Sequence, residues 1–199
     1  MLCERVAYHA DFRSLASIDG IQVDLRYASA NNFVGRDLYG ELDCSWLHKD
    51  AAAALENVAA WLQANHSGCR LLVLDALRPH RVQQTLWQLL AGKPLQLYLA
   101  DPARGSIHSF GMAVDVTLLD RQGDELDMGT GFDDMTALSH PQYEQKHLAE
   151  GSLSELHVLN RQILRQAMLD NGFLGIPTEW WHFDFGDRAL VRKSYLRID

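Results

Sequence analysis

Ser106-Ile107-His108-Ser109-Phe110-Gly111-Met112-Ala113-Val114-Asp115 is the stretch on which the reading of this chain turns. It carries an imidazole and a carboxylate with a glycine between them, and it runs directly into the apolar segment Val116-Thr117-Leu118-Leu119. A polar loop that delivers two potential metal ligands onto a buried strand predicts a site at a strand end. Two ligands do not complete a metal site, so the rest of the chain has to supply a third and the groups that would use the metal.

Upstream, Arg70-Leu71-Leu72-Val73-Leu74-Asp75 reads as a core strand ending on a carboxylate. Arg78-Pro79 follows, and Pro79 suits the first turn of a helix reaching about Ala91 and closed by Gly92. Asp50 is the expected N-cap of a helix over about Ala51 to Gln63, with Leu55, Val58, Ala59 and Leu62 on one face. The first 45 residues are otherwise irregular apart from a strand at Ile21–Tyr27, where Ile21, Val23 and Leu25 alternate with polar neighbours. Lys93 to Arg104 reads as irregular.

Downstream, the strand after Asp115 is expected to turn at Asp120-Arg121-Gln122-Gly123 and return through Glu125–Met128 as a hairpin. Gly129 to Gly151 has loop composition. Ser152 with Glu155 predicts a capping box, behind which Leu156, Leu159, Ile163 and Ala167 form a helical stripe ended by Asn171-Gly172. Glu179-Trp180-Trp181-His182-Phe183-Asp184-Phe185 is aromatic and strand-like. With no repeat or linker, these elements predict one α+β domain over residues 1–199, helices packed on a central, mostly antiparallel sheet.

Composition narrows the function. The 199 residues are 47% hydrophobic and 22% charged, ordinary for a soluble globular protein. The net charge of −8 leaves no clustered basic surface for phosphates, so nucleic acid is not an expected partner. No run approaches the roughly 18–20 apolar residues of a membrane span, and the N-terminal residues lack a signal-peptide core. Cys3, Cys44 and Cys69 are scattered and odd in number, as expected of free thiols in a cytoplasmic protein.

Of nine histidines, His9, His48, His66, His140, His147 and His157 stand in polar or helix-surface contexts, and His80 merely follows Arg78-Pro79. His108, Asp115 and His182 have other company. Imidazole and carboxylate suit zinc, and three protein ligands leave a position for water. Glu179 precedes His182 in an aromatic, water-poor segment, where a carboxylate can move a proton. Arg78, with Asp75 to orient it, stands where a guanidinium can stabilise an oxyanion. The plainer alternatives are a strand-end surface glutamate, a core histidine and a surface Arg–Asp pair. Positions three apart on a regular strand face opposite ways, so Glu179 and His182 converge only if Glu179 lies just before the strand or a bulge intervenes.

Taken together, Ser106-x-His108-x-x-Gly111-x-Ala113-x-Asp115 and Glu179-Trp180-Trp181-His182 resemble the zinc signature of the D-alanyl-D-alanine dipeptidases. These stand among the D-Ala-D-Ala metallopeptidases, which include murein carboxypeptidases; the hedgehog signalling domain shares their fold. Arg26-Tyr27-Ala28 with Asn32-Phe33, Asp75 to Pro79, and Met128-Gly129-Thr130 with Phe132-Asp133 extend the resemblance over about residues 20 to 185. It implies a hedgehog/DD-peptidase-like fold and one Zn2+ per chain held by His108, Asp115 and His182. It further implies that Glu179 activates the zinc-bound water and that Arg78 stabilises the tetrahedral intermediate. Tyr27, Ser106 and Asp133 would surround the free amino group of a small D,D-dipeptide, with Asp134 an alternative to Asp133. Ile107 departs from relatives that carry a second hydroxyl there, which bears on the dipeptide preference and not on the hydrolysis. The neighbouring possibilities are a D,D-carboxypeptidase acting on murein fragments, an Fe(II) oxygenase with the same two-His, one-carboxylate set, and a non-catalytic zinc-binding module.

Overall fold

Strand formation follows the apolar runs, and the sheet they build holds the site at one end. The computed structural model describes residues 1–199. In chain order its elements are β1 (Phe12–Ser14), β2 (Ile21–Val23), β3 (Trp46–His48), α1 (Lys49–Asn65), β4 (Arg70–Asp75), α2 (His80–Leu89) and β5 (Ala113–Leu119). α3 (Glu144–Ala149), α4 (Glu155–Asp170), β6 (Phe173–Ile176), β7 (Glu179–Phe185) and α5 (Arg188–Ser194) complete the chain. The main sheet has the order β2-β4-β5-β7-β6, and β1 pairs with β3 in a separate ribbon. Only β2 and β4 run parallel; the other pairs in the main sheet are antiparallel, as an α+β reading expects.

β4 and β5 are apolar almost throughout because they lie inside the sheet, every residue of β5 being buried. α1 packs on this sheet through Leu55, Val58 and Leu62. Burying each such side chain contributes roughly 1.5–3 kcal/mol. The α1 helix starts earlier than its composition suggests: His48 is the cap, its ring accepting from the Asp50 amide at 3.3 Å, and Asp50 lies in the first turn. His48 is therefore a buried capping group rather than a surface histidine.

Several sequence expectations are corrected. β2 stops at Val23, and Tyr27 sits on a short 3-10 turn, Arg26–Ala28. No return strand follows Asp120: the expected hairpin shrinks to a single bridge between Leu119 and Glu125. The α4 cap is Ser154 reciprocated by His157, not Ser152 with Glu155. Leu156 and Leu159 are exposed, while Val158, Arg161, Leu164, Ala167 and Met168 face the core. The buried face includes Arg161, a charged residue that an apolar-periodicity search skips. Within the segment read as loop, Glu144–Ala149 is helical. Glu144 is buried and pairs with Arg161 and Arg165, which ties the segment to α4.

The three cysteines are free. No helix is long and apolar enough to cross a membrane.

Candidate active site

Strand register assembles the centre. In neighbouring antiparallel strands Asp75 stands opposite Asp115, and Asp115 opposite His182, so the side chains form one row across β4, β5 and β7. Both ends of this row are irregular. The β4–β5 register shifts between Val73 and Asp75, and the β6–β7 register shifts between Gly175 and Ile176, where Ile176 pairs with Glu179. The second shift answers the geometric difficulty of Glu179 and His182: β7 does not alternate regularly, and both side chains line the same cavity.

His108 comes from the 3-10 turn Ile107–Phe110 immediately before β5. Gly111 ends that turn at φ 64°, and a Cβ there would lie 2.7 Å from the His48 amide nitrogen. Only glycine permits both the left-handed turn and the close backbone approach. His108 is thereby placed within reach of the row.

Donor chemistry then identifies what the centre can hold. The His108 Nδ1 lies 2.8 Å from the Ala76 carbonyl, which can only accept, so Nδ1 carries the proton and Nε2 presents its lone pair. His182 Nε2 lies 3.0 Å from the buried Asp184 carboxylate, so Nε2 donates there and Nδ1 faces inward. The inward nitrogens are 3.2 Å apart, and Asp115 Oδ1 is 2.9 Å from His182 Nδ1 and 3.5 Å from His108 Nε2. Two lone pairs and a carboxylate oxygen that converge in this way require a positive charge between them. A proton on His182 meets the requirement in part: burial lowers its pKa, but Asp115 and Asp184 more than offset this and raise it to about 10. A divalent cation meets it in full. The potential ligand atoms of His108, Asp115 and His182 all lie within 4.8 Å of one another, and nitrogen and oxygen donors of this kind fit zinc.

Around this cluster lies a cavity of about 210 Å³ that includes Tyr27, Arg78, Ser106, Ile107, Asp133 and Glu179. It is small beside the roughly 300–1,000 Å³ of drug-sized sites, in keeping with a small ligand. Burial pushes the Glu179 carboxyl up to about 7, with nearby Asp115 adding to the rise and His182 and Arg78 opposing it. A carboxyl that titrates near neutrality can both accept and return a proton.

Arg78 is buried and held on three sides. Its Nε donates to Asp75 Oδ2 at 2.8 Å, Nη1 to Gln83 Oε1 at 3.1 Å and Nη2 to Asp115 Oδ2 at 3.3 Å. Tyr39 donates to the other Asp75 oxygen, so Asp75 is fixed before it fixes Arg78. This is no surface pair.

Asp133 is the chain's one non-glycine residue at positive φ, 61°. It is buried, whereas Asp134 is partly exposed and uses Oδ1 to cap the Thr136 amide. Strain of this kind persists only where the surroundings over-determine it. Here Tyr27 donates to Asp133 Oδ2 at 2.9 Å, and Phe132 packs against both Tyr27 and Trp181. Burial, followed by the carboxylate of Asp115, raises the Asp133 pKa well above its usual range. Tyr27 and this buried acid thus form a hydrogen-bonded pair in the wall of the cavity.

Ser106 and Ile107 are buried beside His108, and Ile107 gives the cavity an apolar wall continuous with the core. His80, by contrast, does not line the cavity; it is buried in α2 with Nδ1 unpartnered. Sequence reasoning missed Asp184, Tyr39 and Gln83. Asp184 had a signal, since it lies two residues beyond His182 on a strand. Tyr39 and Gln83 had none, because only the folded loops bring them to Asp75 and Arg78.

Comparison with known proteins gives the family. The family model described as D-ala-D-ala dipeptidase matches residues 9–198. The chain belongs to the D-Ala-D-Ala dipeptidase family. Within it, the chain is 39% identical over 169 residues to the D-alanyl-D-alanine dipeptidase of Escherichia coli K12, covering 85% of this chain and 81% of that protein. The D-alanyl-D-alanine dipeptidase of Enterococcus faecium is 30% identical, covering 89% of this chain and 92% of its own length. That of Synechocystis is 32% identical over a shorter span, 59% of this chain and 60% of its own. D-Ala-D-Ala dipeptidases are peptidases, hydrolases of the metallopeptidase class, and the chain is accordingly an enzyme of that class with a candidate metal site of two histidines and an aspartate.

Proposed function

We propose that this protein is a zinc-dependent dipeptidase that hydrolyses D-Ala-D-Ala to two D-alanines, one Zn2+ per chain, as a single catalytic unit over residues 1–199. The observation that carries the reading is the convergence of three acceptor atoms, from His108, Asp115 and His182, in a cavity that also contains Glu179. Zinc, when bound there, would supply Lewis acidity toward the scissile carbonyl and toward water.

The protein's own groups supply the rest. Glu179, a desolvated carboxyl in the same cavity as the three converging atoms, takes a proton from the attacking water and returns it to the departing amine. Arg78, locked by Asp75 and Gln83, points a fixed guanidinium at the oxygen on which charge develops, so no reorganisation is needed at that moment. Asp133 and Tyr27 receive the substrate ammonium, and Ser106 stands at the same cavity wall. A buried acid whose carboxylate is disfavoured alone becomes ionised when that ammonium arrives, which favours a free dipeptide over an acylated one. The apolar wall at Ile107 limits the space for larger or polar side chains. A small free dipeptide and unpaired thiols both suit a cytoplasmic enzyme.

The test is turnover on a panel of D,D- and L,L-dipeptides with an N-acylated D-Ala-D-Ala analogue, metal content being measured in parallel. Cleavage of D-Ala-D-Ala with stoichiometric zinc and rejection of the acylated analogue is expected. Efficient cleavage of the acylated analogue would make the enzyme a carboxypeptidase. Stoichiometric iron with oxygen-dependent turnover would overturn the peptidase assignment for this site.

A further inference from the structure

Three guanidiniums line the cavity, those of Arg78, Arg188 and Arg192. Arg78 is neutralised by Asp75 and Asp115. Arg188 is paired with Asp184, the carboxylate that holds His182. Arg192 is left over. It projects from α5 and donates Nε to the Gly105 carbonyl at 3.0 Å, a contact that fixes its side chain without neutralising it. It is partly buried, and burial together with the neighbouring Arg104 and Arg188 opposes its charge more than Asp184 supports it. A fixed cation with its terminal nitrogens unpaired, facing a cavity, is a place for an anion.

The dipeptide assigned to this site is a zwitterion. Its ammonium is matched by Asp133, and a carboxylate entering the same cavity needs an opposite charge of its own. Of the three guanidiniums, only Arg192 has no carboxylate partner, Arg78 being paired with Asp75 and Asp115 and assigned to the reacting oxygen, and Arg188 being paired with Asp184. The planar fork of arginine accepts a carboxylate through two parallel N–H donors, and the Gly105 contact already holds the fork in place. We propose that Arg192 is the specificity-determining residue that anchors the carboxylate of the dipeptide's C-terminal residue; this rests on the dipeptidase reading above. With an acid for the amino end and a guanidinium for the carboxyl end, the cavity selects a peptide of two residues by both its charges.

The experiment compares the metal-replete full chain with its Arg192→Leu and Arg192→Lys variants on D-Ala-D-Ala and on the C-terminal amide of the same dipeptide. The wild-type enzyme should prefer the acid. Arg192→Leu should lower kcat/KM for the acid by about 10- to 100-fold, chiefly through KM. Its turnover of the amide should stay within about twofold of wild type, so the preference collapses. Arg192→Lys, which restores charge without the fork, should fall between. Because the acid-to-amide ratio is internal to each variant, partial misfolding does not move it. An equal loss on acid and amide, or an unchanged preference, would reduce Arg192 to a structural contact with Gly105 and overturn the proposal. Wild-type enzyme that cleaves neither compound would instead overturn the dipeptidase reading itself, before any variant is made.

Discussion

Replacing Glu179 with Gln should stabilise the protein while disabling it, and the size of the gain should depend on pH. The Glu179 carboxyl is raised from an ordinary 4.5 to about 7, burial being the main cause. The unfolded chain therefore releases this proton near pH 4.5, whereas the native state keeps it until about pH 7. Below 4.5 both states are neutral and nothing is lost. Between 4.5 and 7 stability falls as pH rises, and above 7 the full cost of about 3 kcal/mol is present. Glutamine has nearly the same shape and no charge, so it escapes this cost. At pH 5 the variant should gain less than about 1 kcal/mol; at pH 8.5 it should gain about 3 kcal/mol, or roughly 6–12 °C in Tm for a domain of this size. Thermal unfolding of chelated protein at the two pH values is the assay, since a bound divalent cation would itself lower the Glu179 pKa. Loss of a general base should reduce kcat by about 10²- to 10⁴-fold in the metal-replete variant. A stability gain that does not grow between pH 5 and 8.5 would refute the assignment of a partly buried, desolvated carboxyl.

Two further outcomes follow from the buried polar contacts. Asp184→Asn should weaken metal binding by about 10- to 100-fold in a chelator competition, because Asp184 fixes the tautomer of His182 through the 3.0 Å contact at Nε2. Arg161→Ala should cost about 3–5 kcal/mol in denaturant unfolding, since it leaves unpaired the carbonyls of Met128 and Leu138 that Arg161 holds at 2.7 and 3.1 Å and leaves Glu144 with Arg165 as its one cationic partner.

Much of the site was legible in the sequence because its chemistry is carried by residue types that have few other reasons to occur together. His108, Asp115, Glu179 and His182 could be read from two short segments, and β4 is bounded in the structure by the residues expected of it, Arg70 and Asp75. What was not legible depends on tertiary contacts. The register shift at Glu179 comes from β6, a short strand with two exposed residues that gives little alternating signal. Of the stripe expected on α4, Ile163 and Ala167 do pack on the core, but Leu156 and Leu159 are exposed, and Arg161 lies on the buried face, stabilised by partners from residues 128–144 that periodicity does not reveal. The cap of α1 was misplaced by two residues because a histidine, an uncommon cap, took the role ordinarily given to Asp. Asp133 could be told from Asp134 only by burial, a property of the folded loop.

The row Asp75–Asp115–His182 also bears on how the chain finds its fold. Side chains alternate along a strand, so a slip of β7 by one residue against β5 would turn His182 away from Asp115 and bring a neighbouring aromatic to the metal side. A slipped sheet could still bury aromatic residues, since Trp181 and Phe183 flank His182 in the sequence and are themselves buried. It could not gather the ligands. On the proposed ligand set, metal captured during folding would thus reward one strand alignment and no other, making the ion an arbiter of sheet assembly.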